Sequence, residues 1–200
     1  VCEALKKENI SYYKTGIEHG TITAEINGEK FEITSLRQDV FTDGRHAKVK
    51  FSTNWKDDSL RRDFTINSIY SDGDGNLFDP HNGKKDLEDG LVNFIGDAGQ
   101  RIKEDYLRIL RYLRFFINYS KNPHDTEIIK KLKMNIDGVS KLSKERLLDE
   151  LKKIIQLSII EKLSKDKISL ELFSIIFPEL KYIKIFSNLD LVLQDIKKAD

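Results

Sequence analysis

From Arg101 almost to Asp200 the apolar residues recur at the three- and four-residue spacing of amphipathic helices. Stripes of that kind must be buried against one another, so the back half of the chain is expected to be all-α. The periodicity predicts helices over about 101–119, 124–134, 143–163 and 168–176, with further helical sequence after Pro178. The front half reads differently. Residues 2–9 look like the end of a short helix and Ile10–Lys14 like a strand, followed by two alternating segments, TITAEI and EKFEITSLR. Asn27-Gly28 joins these two, a dipeptide that tolerates the positive φ angles of a two-residue hairpin turn. In the second segment Phe31 and Ile33 share one face, expected to be core, and Lys30, Glu32 and Thr34 share the polar one.

Residues 39–49 (DVFTDGRHAKV) read as a polar loop turning at Asp43-Gly44. Asp57 or Asp58 is expected to cap a helix running through SLRRDFTINSIY, with Leu60, Phe64, Ile66, Ile69 and Tyr70 as its apolar positions. Six of the eleven glycines fall between Gly73 and Gly99, with Pro80 among them, so that stretch reads as turn-rich connection and not as helix. The expected class is α+β, a sheet-bearing front and a helical back.

Two hundred residues suffice for one domain with a real core, or for a medium domain and part of a second. Charged residues are 34% and apolar ones 39%, a soluble balance that excludes a disordered chain. No run of about 18 apolar residues and no secretory pattern appears, which excludes a helical membrane span within this sequence. The net charge of +1 hides an asymmetry. Residues 1–100 carry 13 Lys and Arg against 18 Asp and Glu, net −5, whereas residues 101–200 carry 21 against 15, net +6. A basic half fits a polyanion-facing surface and equally fits lysines scattered on helix exteriors. Cys2 is alone, so no intramolecular disulfide is expected and a reducing, cytoplasmic setting is the natural one. His19, His46, His81 and His124 lack metal-ligand spacing, which argues against zinc. The chain opens Val-Cys-Glu without Met, as expected of the interior of a longer product.

Three clusters carry chemistry. At about 100° per residue, Ile102, Tyr106, Ile109, Leu110, Leu113, Phe116 and Ile117 fall in one apolar arc of a single helix from Arg101. Glu104, Arg108 and Arg111 lie opposite, with Asp105 and Arg114 on the flanks. Glu104–Arg108 and Asp105–Arg108 have the spacing of surface ion pairs worth a few tenths of a kcal/mol each. Three arginines instead of lysines equally suit bidentate recognition of phosphate or of a base edge. Arg61-Arg62-Asp63 stands near a predicted helix start, where a guanidinium opposes the macrodipole and an anionic partner would relieve it; a solvated first turn is the alternative. Glu32 is the front-half carboxylate best placed for a strand-borne metal ligand, though an exposed strand Glu is ordinarily just solvated. Asp72-Gly73-Asp74-Gly75-Asn76 invites a calcium-loop reading, which fails because Leu77 and Gly83 occupy the positions that need Gly and Glu.

RRDFTINSIY (61–70), FDPHNGKKDL (78–87) and RIKEDYLRILRYLRF (101–115), in this order, resemble the class II tRNA nucleotidyltransferase family. That family comprises the CCA-adding enzymes and the similar bacterial poly(A) polymerases. The resemblance covers about residues 16–150, and SKERLLDELKKI (143–154) is similar to the family's neck segment. It implies a nucleotidyltransferase-type mixed-sheet head, truncated here, followed by an all-α neck and body. The implied divisions are a partial head over 1–90, nucleotide-templating neck helices over 91–155 and the start of an RNA-binding body over 156–200. By the same resemblance, Arg62 holds the incoming nucleotide and Asp63 supports the site. Asp105 and Arg108 present hydrogen-bonding groups to the base of CTP or ATP, Glu104 orients the arginine, and Arg111 and Arg114 are further nucleotide contacts. Asp79, Gly83 and Asp86 resemble a head–neck hinge, and Asp43 and Arg45 lie in a loop implicated in switching from C to A addition.

The residues themselves agree with such a template. Arg108 can donate two parallel hydrogen bonds and Asp105 can accept one, a pair that suits the amino and ring-nitrogen edges of cytosine and adenine. Each good bidentate contact of this kind discriminates by about 1–3 kcal/mol. The implied reaction adds CMP and AMP to tRNA 3′ ends, by attack of a 3′-hydroxyl on the α-phosphate with two Mg2+ ions and loss of pyrophosphate. One departure stands out: the family's glycine-pair turn and its strand with two metal-binding carboxylates have no counterpart here. Glu32 matches only the third carboxylate position, so this chain by itself is expected to be inactive. A poly(A) polymerase, a CC- or A-adding enzyme, and a non-catalytic RNA- or nucleotide-binding module are the alternatives.

Overall fold

A computed structural model describes residues 1–42, 47–155 and 157–180. Its described residues fall into two compact units that divide between Arg62 and Asp63. The first begins with helix α1 (Cys2–Lys7), then strands β1 (Ser11–Gly16), β2 (Thr21–Ile26) and β3 (Glu29–Thr34), which form an antiparallel sheet in that order. Asn27 and Gly28 have φ of 54° and 82°, the positive pair that a two-residue hairpin turn requires. The register sets Ala24 opposite Phe31 and Ile22 opposite Ile33. The apolar face is the predicted one, but its core weight falls on β2. Ile22 and Ala24 are buried, whereas Ile33 is half-buried and Phe31 stays exposed. The central strand β2 has a paired neighbour on each side, whereas β3, among the described residues, has one.

The predicted loop at 39–49 is instead largely a second hairpin, β4 (Arg37–Thr42) with β5 (Ala47–Phe51); the expected turn at Asp43-Gly44 lies outside the described residues. Ala47-Lys48-Val49-Lys50-Phe51 alternates strictly, a strand signal masked by the charged composition around it. Helix α2 (Trp55–Leu60) also departs from expectation. Its cap is Asn54, whose Oδ1 accepts from Lys56 N–H at 2.9 Å, and it stops at Leu60 without continuing to Tyr70. Arg61 and Arg62 therefore follow a helix C-terminus, where cations are favoured, and do not oppose a helix start.

In the second unit the chain beyond Asp63 is pulled out of helix by backbone pairing. Thr65 N–H donates to Asn93 O and Ile95 N–H to Asp63 O, both at 3.0 Å, and Phe64 bridges Phe94. A small hairpin follows, β6 (Tyr70–Ser71) with β7 (Leu77–Phe78), then α3 (Gly83–Asp89), a helix inside the stretch expected to be only turns. All strand pairings among the described residues are antiparallel, so the α+β class forms from small antiparallel sheets in front and helices behind.

The helical part comprises α4 (Ala98–Glu104), α5 (Leu107–Tyr119), α6 (Thr126–Asn135), α7 (Lys144–Ile154), α8 (Leu157–Lys165) and α9 (Lys167–Ile176). The single helix predicted from Arg101 is two, because Asp105 is extended (φ −154°, ψ 105°). The 143–163 prediction likewise divides, into α7 and α8. Helix α5 is central and packs with α4, α7, α8 and α9. The wheel identified its buried face correctly, with Ile109, Leu110, Leu113, Phe116 and Ile117 in the core; it omitted Tyr112, equally buried.

Tyr112 is buried because a polar chain receives its hydroxyl. Tyr112 Oη lies 3.2 Å from His124 Nδ1, and His124 Nε2 lies 3.0 Å from Asp166 Oδ1 and 3.1 Å from Ser169 Oγ. The imidazole stacks on Phe116 with 3.5 Å between ring centroids, and its side chain is only 2% exposed. Asp166 also caps α9, accepting from Ser169 N–H at 2.7 Å. Burial lowers the His124 pKa below its ordinary 6.5, and the Asp166 carboxylate offsets only part of that. The folded state thus prefers neutral His124. Its contribution to stability is complete above about pH 6.5 and declines as pH falls through the lowered value. Urea denaturation between pH 7.5 and 5 should show a steeper loss of stability for the native chain than for His124→Gln; parallel curves would remove His124 from the acid response.

Candidate functional site

The structure distributes the candidate residues among four ion-paired groups, three in the second unit and one in the first. At the α4–α5 break, Asp105 Oδ1 accepts from Leu107 N–H at 3.1 Å, so its side chain satisfies a donor at the start of α5. Its Oδ2 meets Arg146 Nη2 of α7 at 2.7 Å. Beside it, Glu104 Oε2 accepts from Arg101 Nη1 and, at 2.8 Å, from Arg108 Nη1. Arg108 Nη1 also donates to the Arg101 carbonyl at 2.6 Å. Nε and Nη2 of Arg108 make no hydrogen bond among the described residues. One nitrogen anchors the guanidinium plane, and the remaining donors are uncommitted.

The next two groups involve the other α5 arginines. Arg111 Nε donates to Asp63 Oδ2 at 2.5 Å, while Asp63 Oδ1 accepts from Phe64 N–H and Asn67 Nδ2, each at 2.9 Å. Burial alone would raise the Asp63 pKa, but the Arg111 charge and these hydrogen bonds outweigh it and hold the carboxyl below the ordinary 3.8. Arg114 Nε donates to Glu150 Oε1 at 2.5 Å, with Lys153 3.5 Å from the other oxygen. Arg111 and Arg114 also lie 5.4 and 4.3 Å from the Phe115 ring centroid.

In the first unit, Asp58 is fully buried. Its Oδ1 accepts from Arg61 Nε and Nη2 at 2.9 and 2.6 Å, its Oδ2 from Arg62 Nε and Nη2 at 3.1 and 3.0 Å. Arg37 N–H adds a 3.2 Å contact. One carboxylate thus organises two guanidiniums as adjacent forks.

Asp79, Gly83 and Asp86 form a clasp within the second unit. Asp79 accepts from the N–H groups of Gly83 and Lys84 at 2.8 and 2.9 Å, satisfying the start of α3. A Cβ on Gly83 would lie 2.1 Å from the Thr65 carbonyl oxygen, so only glycine allows this approach. Asp86 Oδ2 then accepts from Thr65 Oγ1 at 2.6 Å and Asn93 Nδ2 at 3.1 Å. Asp43 and Arg45 lie outside the described residues. Glu32 is exposed on β3 opposite Thr23, on the predicted polar face.

The described residues do not fit a Mg2+ site. Among them no three His, Cys, Asp or Glu side chains come together in a way that could hold a metal, and one exposed carboxylate does not retain a divalent cation against water. The sequence marks Asp58 only as a possible helix cap, not as the partner of Arg61 and Arg62, and it gives Arg146 and Glu150 no site role. Asp58 was detectable, since Asp58–Arg61 and Asp58–Arg62 have i,i+3 and i,i+4 spacing. Arg146 and Glu150 had no local signal; they lie 41 and 36 residues from the side chains they meet.

Residues 1–93 match the family described as poly A polymerase head domain, and residues 125–184 that described as probable RNA and SrmB-binding site of polymerase A. The human CCA tRNA nucleotidyltransferase 1, mitochondrial, is 53% identical over 142 residues, covering 70% of this chain and 33% of the relative. This chain belongs to the class II tRNA nucleotidyltransferase and poly(A) polymerase family. A CCA-adding enzyme of Staphylococcus haemolyticus is 36% identical over 180 residues, 88% of this chain and 42% of its own length. In fold, this chain matches the Bacillus stearothermophilus CCA-adding enzyme crystallised with CTP, with a TM-score of 0.65 at 24% identity, over 79% of this chain and 39% of that one. It therefore spans about a third to two-fifths of the length of these relatives.

Two substitutions test the clasp and the buried pair. Asp63→Asn turns an amide toward Arg111 Nε and sets donor against donor. It should cost about 2 kcal/mol, below the ~3–5 kcal/mol of a fully buried pair because Arg111 is 30% exposed. Gly83→Ala should destabilise by roughly 1–3 kcal/mol through overpacking against Thr65. Chemical denaturation reads both, and an unchanged midpoint in either would show that the contact contributes nothing.

Proposed function

We propose that this chain is the nucleotide-selecting and RNA-facing portion of an enzyme that completes tRNA 3′ ends with CCA, using CTP and ATP. The observation that carries the reading is the Glu104–Asp105–Arg108 group, an acceptor and a partly uncommitted guanidinium side by side at a helix break. The names of the relatives, CCA tRNA nucleotidyltransferase and CCA-adding enzyme, support it.

In this proposal Arg108 donates to the ring nitrogen and carbonyl oxygen of cytosine, or to the ring nitrogen beside the amino group of adenine, while Asp105 accepts from the exocyclic amino group. Uracil and guanine present a carbonyl where the amino group should be, and a carboxylate facing a carbonyl oxygen is repelled. Glu104 and the Arg101 carbonyl hold the Arg108 plane, so less rotamer entropy is lost on binding. Arg62, with Asp58 behind it, binds the nucleotide phosphates or sugar. Arg111 and Arg114, which the resemblance makes further nucleotide contacts, have their Nε atoms committed to Asp63 and Glu150, so in this proposal they reach a nucleotide only through their remaining nitrogens, and with Asp63 they support the selecting helix. Asp79, Gly83 and Asp86 keep their proposed place as the hinge motif, with Asp43 and Arg45 in the switching loop.

The proposed divisions are head over 1–90, neck over 91–155 and body from 156, with tRNA lying along exposed lysines of the helical part by a salt-sensitive attraction. Glu32 remains a candidate acidic residue of the head, with no metal step assigned to it. No helix among the described residues is long and apolar enough to cross a membrane. A cytoplasmic setting belongs to the proposal.

The test is nucleotide incorporation into tRNA ending before CCA, with the natural gene product that carries this sequence. CTP and ATP should be used and UTP and GTP refused. Arg108→Ala should shrink that preference by roughly tenfold or more, the value of one good bidentate contact. Unchanged selectivity would end the base-reading role.

A further inference from the structure

The base-reading proposal leaves unexplained what aims Asp105. An aspartate in extended backbone between two helices has no helical neighbours to limit its rotamer, and a reader that swings does not discriminate. Two contacts from the segment after α6 hold it. Arg146 Nη2 meets Asp105 Oδ2 at 2.7 Å, drawing the carboxylate toward α7. The adjoining Tyr106 ring is seated over Gly138, where a Cβ would lie only 2.1 Å from the ring, and Lys141 Nζ is 5.6 Å from the ring centroid. The backbone on one side of Asp105 is thus pinned by packing, and its side chain by charge.

We propose that Arg146 is a specificity-determining positioning residue. It fixes the direction in which Asp105 accepts, and so sets the rejection of bases that carry a carbonyl in place of an amino group. This rests on the base-reading proposal and deepens it. A carboxylate oxygen has two acceptor directions. With Arg146 occupying one at Oδ2 and Leu107 N–H engaging Oδ1, the direction left for an exocyclic amino group is narrow. Without Arg146 the carboxylate turns away from an incoming uracil carbonyl, and the repulsion that excludes UTP is relieved. Binding of CTP falls less, because Arg108 keeps its own anchors on Glu104 and the Arg101 carbonyl.

Arg146→Gln and Arg146→Lys in the natural gene product test this against Arg108→Ala, with kcat/KM measured separately for CTP, ATP, UTP and GTP on tRNA ending before CCA. Arg146→Gln should raise the UTP-to-CTP ratio of kcat/KM roughly tenfold, the lower end of what one base-edge contact discriminates. Arg146→Lys, with its charge kept but its planar fork lost, should fall between. Thermal melting of each variant accompanies the kinetics. Arg146 is one-third exposed, so its replacement opens no buried cavity, and the lysine variant supplies the measurement should the glutamine one fail to fold. If all four nucleotides lose rate in common and the ratios stay at the native value, Arg146 is only structural or binds phosphate, and the inference is overturned. Selectivity altered by Arg108→Ala but not by either Arg146 variant overturns this inference and leaves the base reader standing; selectivity unaltered by Arg108→Ala overturns both.

Discussion

Three guanidiniums on a helix that is itself the centre of the helical unit set the terms for what surrounds it. Helix α5 buries Ile109, Leu110, Tyr112, Leu113, Phe116 and Ile117, yet carries Arg108, Arg111 and Arg114 at successive turns. A charge withdrawn from water must meet an opposite charge and hydrogen bonds or the helix cannot pack. Each arginine has one: Glu104 from the preceding helix, Asp63 from the segment paired with Asn93–Ile95, and Glu150 from α7. These pairs are directional where apolar burial is not. Apolar contact determines that α5 lies inside, and the ion pairs determine its rotation and which neighbours lie against which turn.

The same accounting changes the meaning of the charge asymmetry. All five arginines of the basic half, Arg101, Arg108, Arg111, Arg114 and Arg146, are half-buried and paired with carboxylates. The exposed cations of that half among the described residues are lysines, including Lys103, Lys130, Lys133, Lys144, Lys152 and Lys162. Arginine serves where geometry matters and lysine where a mobile, hydrated charge suffices. Hydrated, mobile surface charge and fixed, paired charge are thus divided by residue type on the same helices.

Much of this fold was legible because its signals are local. Asn27-Gly28 forms its turn with both φ angles positive, and the apolar arc of α5 is buried as the wheel arranged it. Where local signals conflicted, the reading failed. The run after Leu60 has helical spacing, but Phe64–Thr65 gains more from pairing with Asn93 and Phe94 than from another turn of helix. The strand Ala47–Phe51 was hidden by its own lysines, and α3 by the glycines around it, one of which, Gly83, is there for close approach to Thr65 and not for a turn.

The sequence by itself determined the class, the central helix, the order of the motifs and the types of residue at the candidate site, since propensity, periodicity and spacing act over a few neighbouring residues. Only the tertiary structure decided what those residues touch. The break at Asp105 and the partners Asp63, Arg146 and Glu150 lie 36 to 48 residues from the groups they meet, and depend on which helix faces come together. A continuous helix through Glu104 and Arg108 satisfies every local rule. It yields because an extended Asp105 lets one carboxylate satisfy the Leu107 amide and a guanidinium from another helix at once, which no position inside a helix allows.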